Sequence, residues 1–252
     1  MMKLHPLHAH IQPVDILAIG VHPDDVELSC SGTLLSHLDK GYSVGLLDLT
    51  LGELGTRGNA DLRSAEARLA AEQMGASFRA QLTMRDGFFG DSEDEIRAII
   101  QVVRAAKPRI VLANALSDRH PDHGRAAKVI ADACFYAGLL KIKTVDPDGV
   151  SQERWRPSSV MHYVQDHQLV PDFVVDISPY MEMKMELIRC FDSQFFKSDS
   201  KEPETPISVS DFLDFIRAKA KVYGRPCGFE YAEAFQVQQY PGIKDLFSSF
   251  HL

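Results

Sequence analysis

Two periodicities alternate over the first half of this chain, and that alternation constrains the fold more than anything else in it. "VDILAIGV" (14–21) and "YSVGLLDLT" (42–50) are short apolar runs with β-branched residues, the pattern of strands covered on both faces. Elsewhere the spacing turns helical. Leu62, Ala65, Leu69 and Met74 recur at helical intervals in 61–74, and Gly75 ends that run. In "DSEDEIRAIIQVVRAAKP" (91–108), Ser92 and Glu95 fit a capping box, Ile96, Ile99, Ile100 and Val103 form one stripe, and Pro108 stops the helix. "RIVLAN" (109–114) reads as the next strand and "DHGRAAKVIADACFYAG" (122–138) as the next helix. Repeated strand–helix alternation predicts an α/β fold: a mostly parallel sheet flanked by helices. In such sheets ligands gather at the carboxyl ends of the strands.

The second half is less regular. "KTVDPDGVSQERWRP" reads as a surface connection, "SSVMHYV" and "DFVVDIS" as strands, and "PYMEMKMELIRCF" and "DFLDFIRAKAKVYG" as helices. Between those helices, "FFKSDSKEPETPISVS" is polar and proline-containing, which predicts a mobile loop. At 252 residues the chain can bury a sizeable core, and neither a linker nor a repeat divides it. A single domain over 14–252 is expected behind a flexible N-terminal arm, 1–13. His5, His8 and His10 in that arm read as a frayed terminus, not a metal site.

A formal charge of −8 argues against nucleic-acid or anionic-membrane partners, which need basic surface. No apolar run reaches membrane-spanning length, and the start lacks the apolar stretch of a signal peptide. Cys30, Cys134, Cys190 and Cys227 are far apart and form no CxxC pair, which suits a reducing compartment without disulfides. A cytoplasmic protein is expected.

One short motif occurs twice: His22-Pro23-Asp24-Asp25, and His120-Pro121-Asp122-His123. Each follows a strand signal and opens a helix signal, so both fall at one edge of the expected sheet. Taken singly, each is also explained as a capped helix start, with Pro and Asp in the first turn. Together they supply what a zinc hydrolase needs, three ligands drawn from His and carboxylate with one position left for water. His22 and Asp25 are spaced i, i+3, so one turn can aim both at one point, and a histidine of the second cluster completes the set. The remaining carboxylate and histidine are then available for acid–base work.

"AIGVHPDDVELSCSGTL" followed by "DRHPDHGRAA" resembles the PIG-L/LmbE-type zinc-dependent N-deacetylases, and the likeness extends through "GYSVGLLDLTLGELGTRGNADLRSAEA", "DFVVDIS", "CFDSQF" and "KVYGRPCGFEYAEAF". Within that family the chain is most similar to the bacillithiol-pathway group acting on N-acetylglucosaminyl-malate. The resemblance implies a Rossmann-like single domain and one Zn2+ per subunit held by His22, Asp25 and His123. It also implies Asp24 as general base, His120 as a second catalytic histidine and Arg63 as a substrate-binding residue. The partner it implies is a small N-acetyl-sugar substrate, and the assembly a homo-oligomer, up to a hexamer. The donor set itself also suits iron(II), cobalt or manganese.

Several roles have plain rivals. Arg63 lies in an amphipathic helix, where a solvated arginine is the default. "GELGTRG", with Glu53 and Arg57, is a pocket rim or a simple surface loop. His162 and His167 read as ordinary core or surface histidines, since the ligand set is filled without them. Asp86 in "MRDGFF" could touch sugar hydroxyls beside Phe88 and Phe89, but a turn with core aromatics explains it as well. Cys30 and Cys134 read as small apolar packing groups. Other functions to weigh are a deacetylase of another N-acetyl sugar such as diacetylchitobiose, a non-catalytic Rossmann-like binding module, and a metal-binding protein without turnover. The binding module is disfavoured because "GVHPDD" puts carboxylates where a glycine-rich phosphate loop should stand.

Overall fold

The computed structural model describes residues 10–195 and 201–245. The first strand, β1 (Ile16–Gly20), is buried at every position. On one side it pairs in parallel with β2 (Val44–Thr50), and β2 with β3 (Phe78–Met84). On the other it pairs in parallel with β4 (Ile110–Ala113), and β4 with β5 (Ser159–Tyr163). The sheet is finished by β7 (Ala232–Val237), antiparallel both to β5 and to β6 (Phe173–Asp176). Among the described residues the seven strands form one sheet in the order β3-β2-β1-β4-β5-β7-β6. This is the expected α/β fold, mostly parallel and covered by helices.

Both faces of β1 are apolar because alternate residues serve different layers. Leu17 and Ile19 pack with Ile99, Ile100 and Val103 of α4 (Glu93–Ala106) and Val129 and Ile130 of α5 (Pro121–Ala137). Ile16 and Ala18 face the opposite layer, with Val26 of α1 (Asp25–Ser29), Leu34 of α2 (Ser31–Asp39), Met74 of α3 (Ala60–Met74) and Leu187 of α6 (Met181–Arg189). A further cluster joins α3 and α6 to α7 (Phe212–Gly224) through Ala67, Ile188, Phe191 and Ile216. Cys30 and Cys134 are buried free thiols. No helix among the described residues is long and apolar enough to cross a membrane.

Local signals hold where they are strong. Ser92 and Glu95 form the capping box of α4, and Gly75 ends α3 in the left-handed conformation. Lys107, also left-handed, ends α4 just before Pro108. Two strands were not among those expected. β3 reads "FRAQLTM", with polar residues at alternate positions, and β7 reads "AEAFQV", with Glu233 and Gln236 among apolar residues. Of these, Arg79, Gln81 and Glu233 are buried. Arg79 meets Asp48 at 2.8 Å and Glu27 at 2.6 Å. Glu233 meets Lys184 at 2.7 Å and accepts the N–H groups of Gly32 and Thr33 at 3.0 and 2.7 Å. Cys30, the residue ahead of α2, makes no side-chain cap, so a carboxylate from a distant strand satisfies that helix end instead.

His5 and His8 lie outside the described residues, as does most of the expected arm; Ile11 packs on the core. The expected loop at 195–210 is described only in part.

Candidate active site

Because β1 and β4 are parallel neighbours, the chain leaves both at the same edge of the sheet. There the two His-Pro-Asp clusters meet. Ring centroids are 4.8 Å apart for His22 and His120, 5.1 Å for His120 and His123, and 5.6 Å for His22 and His123.

The first cluster is not a capped helix start. Asp24 stands at the N-cap of α1 but makes no side-chain cap bond. Its φ of 152° is one that L side chains rarely adopt, a strain of order 1–3 kcal/mol. Asp25 instead turns back beneath β1, where its Oδ2 accepts the N–H groups of Val21 and His22 at 2.9 Å each. The second cluster does cap its helix. His120 Nδ1 accepts the Asp122 N–H at 3.3 Å, and Pro121 occupies the first turn of α5. With Nδ1 accepting, the proton of a neutral His120 ring resides on Nε2.

The residues implied as ligands come together. Asp25 Oδ1 lies 3.2 Å from His123 Nε2, and Asp25 Oδ2 lies 3.8 Å from His22 Nδ1. Asp118 holds the other His123 nitrogen, Nδ1, the usual way a metal-binding imidazole is oriented. Among the described residues two donor groups lie within ligand distance of one another, His22 with His120 and His123, and His22 with Asp86 and Asp122; Asp25 is in neither, and the first shares His22 and His123 with the implied set. His22 Nε2 also contacts Asp86 at 3.0 Å and Asp122 at 3.6 Å.

Burial disfavours a charged His22, yet Asp122, Asp86 and Asp25 outweigh it and raise its pKa to about 10. Burial likewise opposes charge on His123, while Asp25 and Asp118 raise it to about 9. Burial would raise Asp25, but His123 and His22 hold it far below the usual carboxylate range. For Asp24, burial dominates and raises the carboxyl to about 6, against the pull of Arg63. His120 is lowered by burial and by the two neighbouring histidines. Imidazoles packed among carboxylates, each drawing in a proton, form a site that demands positive charge. A divalent cation among His and Asp donors meets that demand, so these residues fit a metal.

Arg63 is not solvated. It is 4% exposed, with Nη2 3.2 Å from Asp24 and 3.3 Å from the Pro23 carbonyl. Gly52, with φ +65°, makes room for it, since a Cβ there would fall 2.0 Å from Arg63 Nη1. Asp86 is also part of the site, 5% exposed, with Oδ2 accepting the Leu54 N–H at 3.0 Å. Phe89 is core and Phe88 is exposed. Glu53 accepts the Asp86 N–H at 2.8 Å, and Arg57 is buried against the Phe195 carbonyl at 3.0 Å, so "GELGTRG" is tied down and not a free surface loop. His162 is a buried core histidine, its Nδ1 2.9 Å from the Asn114 carbonyl.

His22, Asp24, Asp25, Arg63, Asp86, His120 and His123 line a cavity of about 400 Å³, together with Phe215, Ile216 and Lys219 of α7. Burial lowers Lys219 to about 8. Asn114, Gln165 and Lys219 carried no sequence signal, because an isolated amide or lysine has none until strands bring it to a site.

A family model described as "PIG-L: GlcNAc-PI de-N-acetylase" matches residues 17–134. The diacetylchitobiose deacetylase of Thermococcus kodakarensis is 30% identical over 245 residues, 90% of this chain and 84% of that protein. The chain belongs to the PIG-L deacetylase family. A conserved protein from Thermus thermophilus shares the PIG-L fold seen here, with a TM-score of 0.81 and 30% identity over 92% of this chain and 98% of its own. The 4-oxalmesaconate hydratase of Pseudomonas putida is 25% identical over 71% of this chain and 73% of that protein.

Proposed function

We propose that this chain is a zinc-dependent deacetylase of N-acetylglucosamine conjugates, with N-acetylglucosaminyl-malate of bacillithiol biosynthesis as its substrate. The observation that carries the reading is Asp24. It is a strained carboxylate that caps nothing, is raised to about 6, and stands in the cavity beside the His22–Asp25–His123 group. A metal-binding protein without turnover gives it no task.

His22, Asp25 and His123 would hold the metal. When bound, it supplies Lewis acidity and an acidified water. Asp24 takes the proton from water as the acetamide carbon is attacked. His120 presents Nε2–H to the developing oxyanion, held in that tautomer by the Asp122 N–H. Asp24 or His120 returns a proton to the leaving amine, giving acetate and a glucosamine conjugate with its amine free. Arg63, on the cavity wall, keeps Asp24 in place at 3.2 Å and is the substrate-binding residue of this proposal. A cytoplasmic homo-oligomer, up to a hexamer, belongs to the same proposal and rests on the family resemblance.

A second substrate, diacetylchitobiose, is supported by the Thermococcus relative. Acetate release from N-acetylglucosaminyl-malate, diacetylchitobiose and free N-acetylglucosamine, together with metal content, separates these readings. The malate conjugate is expected to be turned over fastest, with Arg63→Ala losing the preference. Faster turnover of diacetylchitobiose would move the substrate to the second reading. A metal-loaded protein that releases no acetate but hydrates 4-oxalmesaconate would overturn both.

A further inference from the structure

Asp25 is bonded on every side. Its Oδ2 accepts the N–H groups of Val21 and His22 and the Asn114 amide, all at 2.9 Å. Its Oδ1 accepts the Gln165 amide at 3.0 Å and faces His123 Nε2 at 3.2 Å. A carboxylate oxygen accepts through two lone pairs, so Oδ2 is fully spent and only Oδ1 has capacity left toward the histidines.

The two amides act as a unit. Asn114, the residue after β4, also donates from Nδ2 to Gln165 Oε1 at 2.9 Å. Gln165 Oε1 accepts the Ala115 N–H as well, at 3.2 Å, which turns Gln165 Nε2 toward Asp25. Both orientations are set by this network, since a flipped amide would aim oxygen at a carboxylate. Both residues are buried, and Asn114 Oδ1 has no partner among the described atoms. Leaving a buried acceptor unpaired costs about 1–3 kcal/mol, which core packing alone does not explain.

The segment that carries Gln165 also supports the other side of the site. The N–H groups of Asp166 and His167 donate to Asp118 Oδ1 at 3.0 and 2.8 Å, and Asp118 holds His123. The residues just past β5 thus reach Asp25 through a side chain and His123 through Asp118.

We infer that Asn114 and Gln165 are positioning residues that hold Asp25 as a one-oxygen metal ligand, occupying Oδ2 and presenting Oδ1. The inference rests on the metal reading proposed above. Its physical content is that a carboxylate released from the two amides can turn both oxygens to the ion and fill a position needed by water.

The test uses the full chain stripped of metal, as wild type, Gln165→Met and Asn114→Ala. Zinc affinity is read by competition with a chromophoric chelator, coordination by cobalt(II) absorption, and folding by thermal melting of the metal-free forms. Each variant is expected to lose about 10–100-fold in zinc affinity while still melting cooperatively as a folded protein without metal. The cobalt band should weaken as the ion gains an oxygen, and the double variant should lose less than the product of the singles. A wild type that binds no zinc overturns the metal reading and this inference with it. Wild-type binding with both variants folded and within twofold of it overturns the inference alone. So does failure of the metal-free variants to fold, which would assign the amides to the core.

Discussion

Asp24 combines a backbone φ of 152° with a carboxyl raised to about 6, and both properties follow from where β1 releases the chain. Asp25 must turn back under the strand, so its predecessor is driven into the cavity. Asp24→Asn keeps the size and removes the base. Turnover should fall by about 10²–10⁴-fold while the metal stays bound, because Asp24 is outside the donor group. Near-normal turnover would reassign the base. Asp24 must be ionised to accept a proton, so kcat/KM should fall as pH drops through a midpoint at or below about 6, since a bound dication lowers that value further. The pairing of the histidine clusters was legible in the sequence. The burial of Arg63 and the place of Asp86 were not, because both depend on loops folding over from β2 and β3.

Among the elements, β3 shows that the polar positions of an alternating strand can be buried like the apolar ones. Its Arg79 is buried between Asp48 of β2 and Glu27 of α1, with bonds of 2.6–2.8 Å. Glu27, raised by burial and lowered by Arg79, depends on that guanidinium for its charge. Arg79→Met should therefore cost about 3–5 kcal/mol in urea unfolding, because it leaves buried carboxylates without a counter-ion. A loss under about 1 kcal/mol would show that the triad is replaceable by apolar packing. α4 is the opposite case: its cap, stripe and stop are all local, so the sequence displays them and the structure reproduces them.

For the whole molecule, the acidic centre makes stability depend on metal and pH together. His22 and His123 have folded pKa values of about 10 and about 9, above their ordinary 6.5. A raised pKa contributes stability that is fully present below the unfolded value and lost as pH rises through the folded one. The metal-free protein should therefore melt at progressively lower temperature as pH is raised from about 6.5 to about 10. Zinc uptake at pH 8 should release about two protons, one from each ring, read by calorimetry in buffers of different ionisation enthalpy. A flat melting profile with no proton release would remove the protonated pair.

The sequence by itself determined the alternating α/β order, the helix boundaries that carry caps, and the two His-Pro-Asp clusters at strand ends. Each of these is written in neighbouring residues or in a period of a few positions. Only the tertiary structure decided that β3 and β7 are strands, that Arg63 is buried against Asp24, and that two amides from just past β4 and β5 hold Asp25. Those outcomes depend on groups far apart in the chain, such as Gln165 and Asp25 or Glu233 and Gly32, whose bonds exist only once the sheet has brought them together.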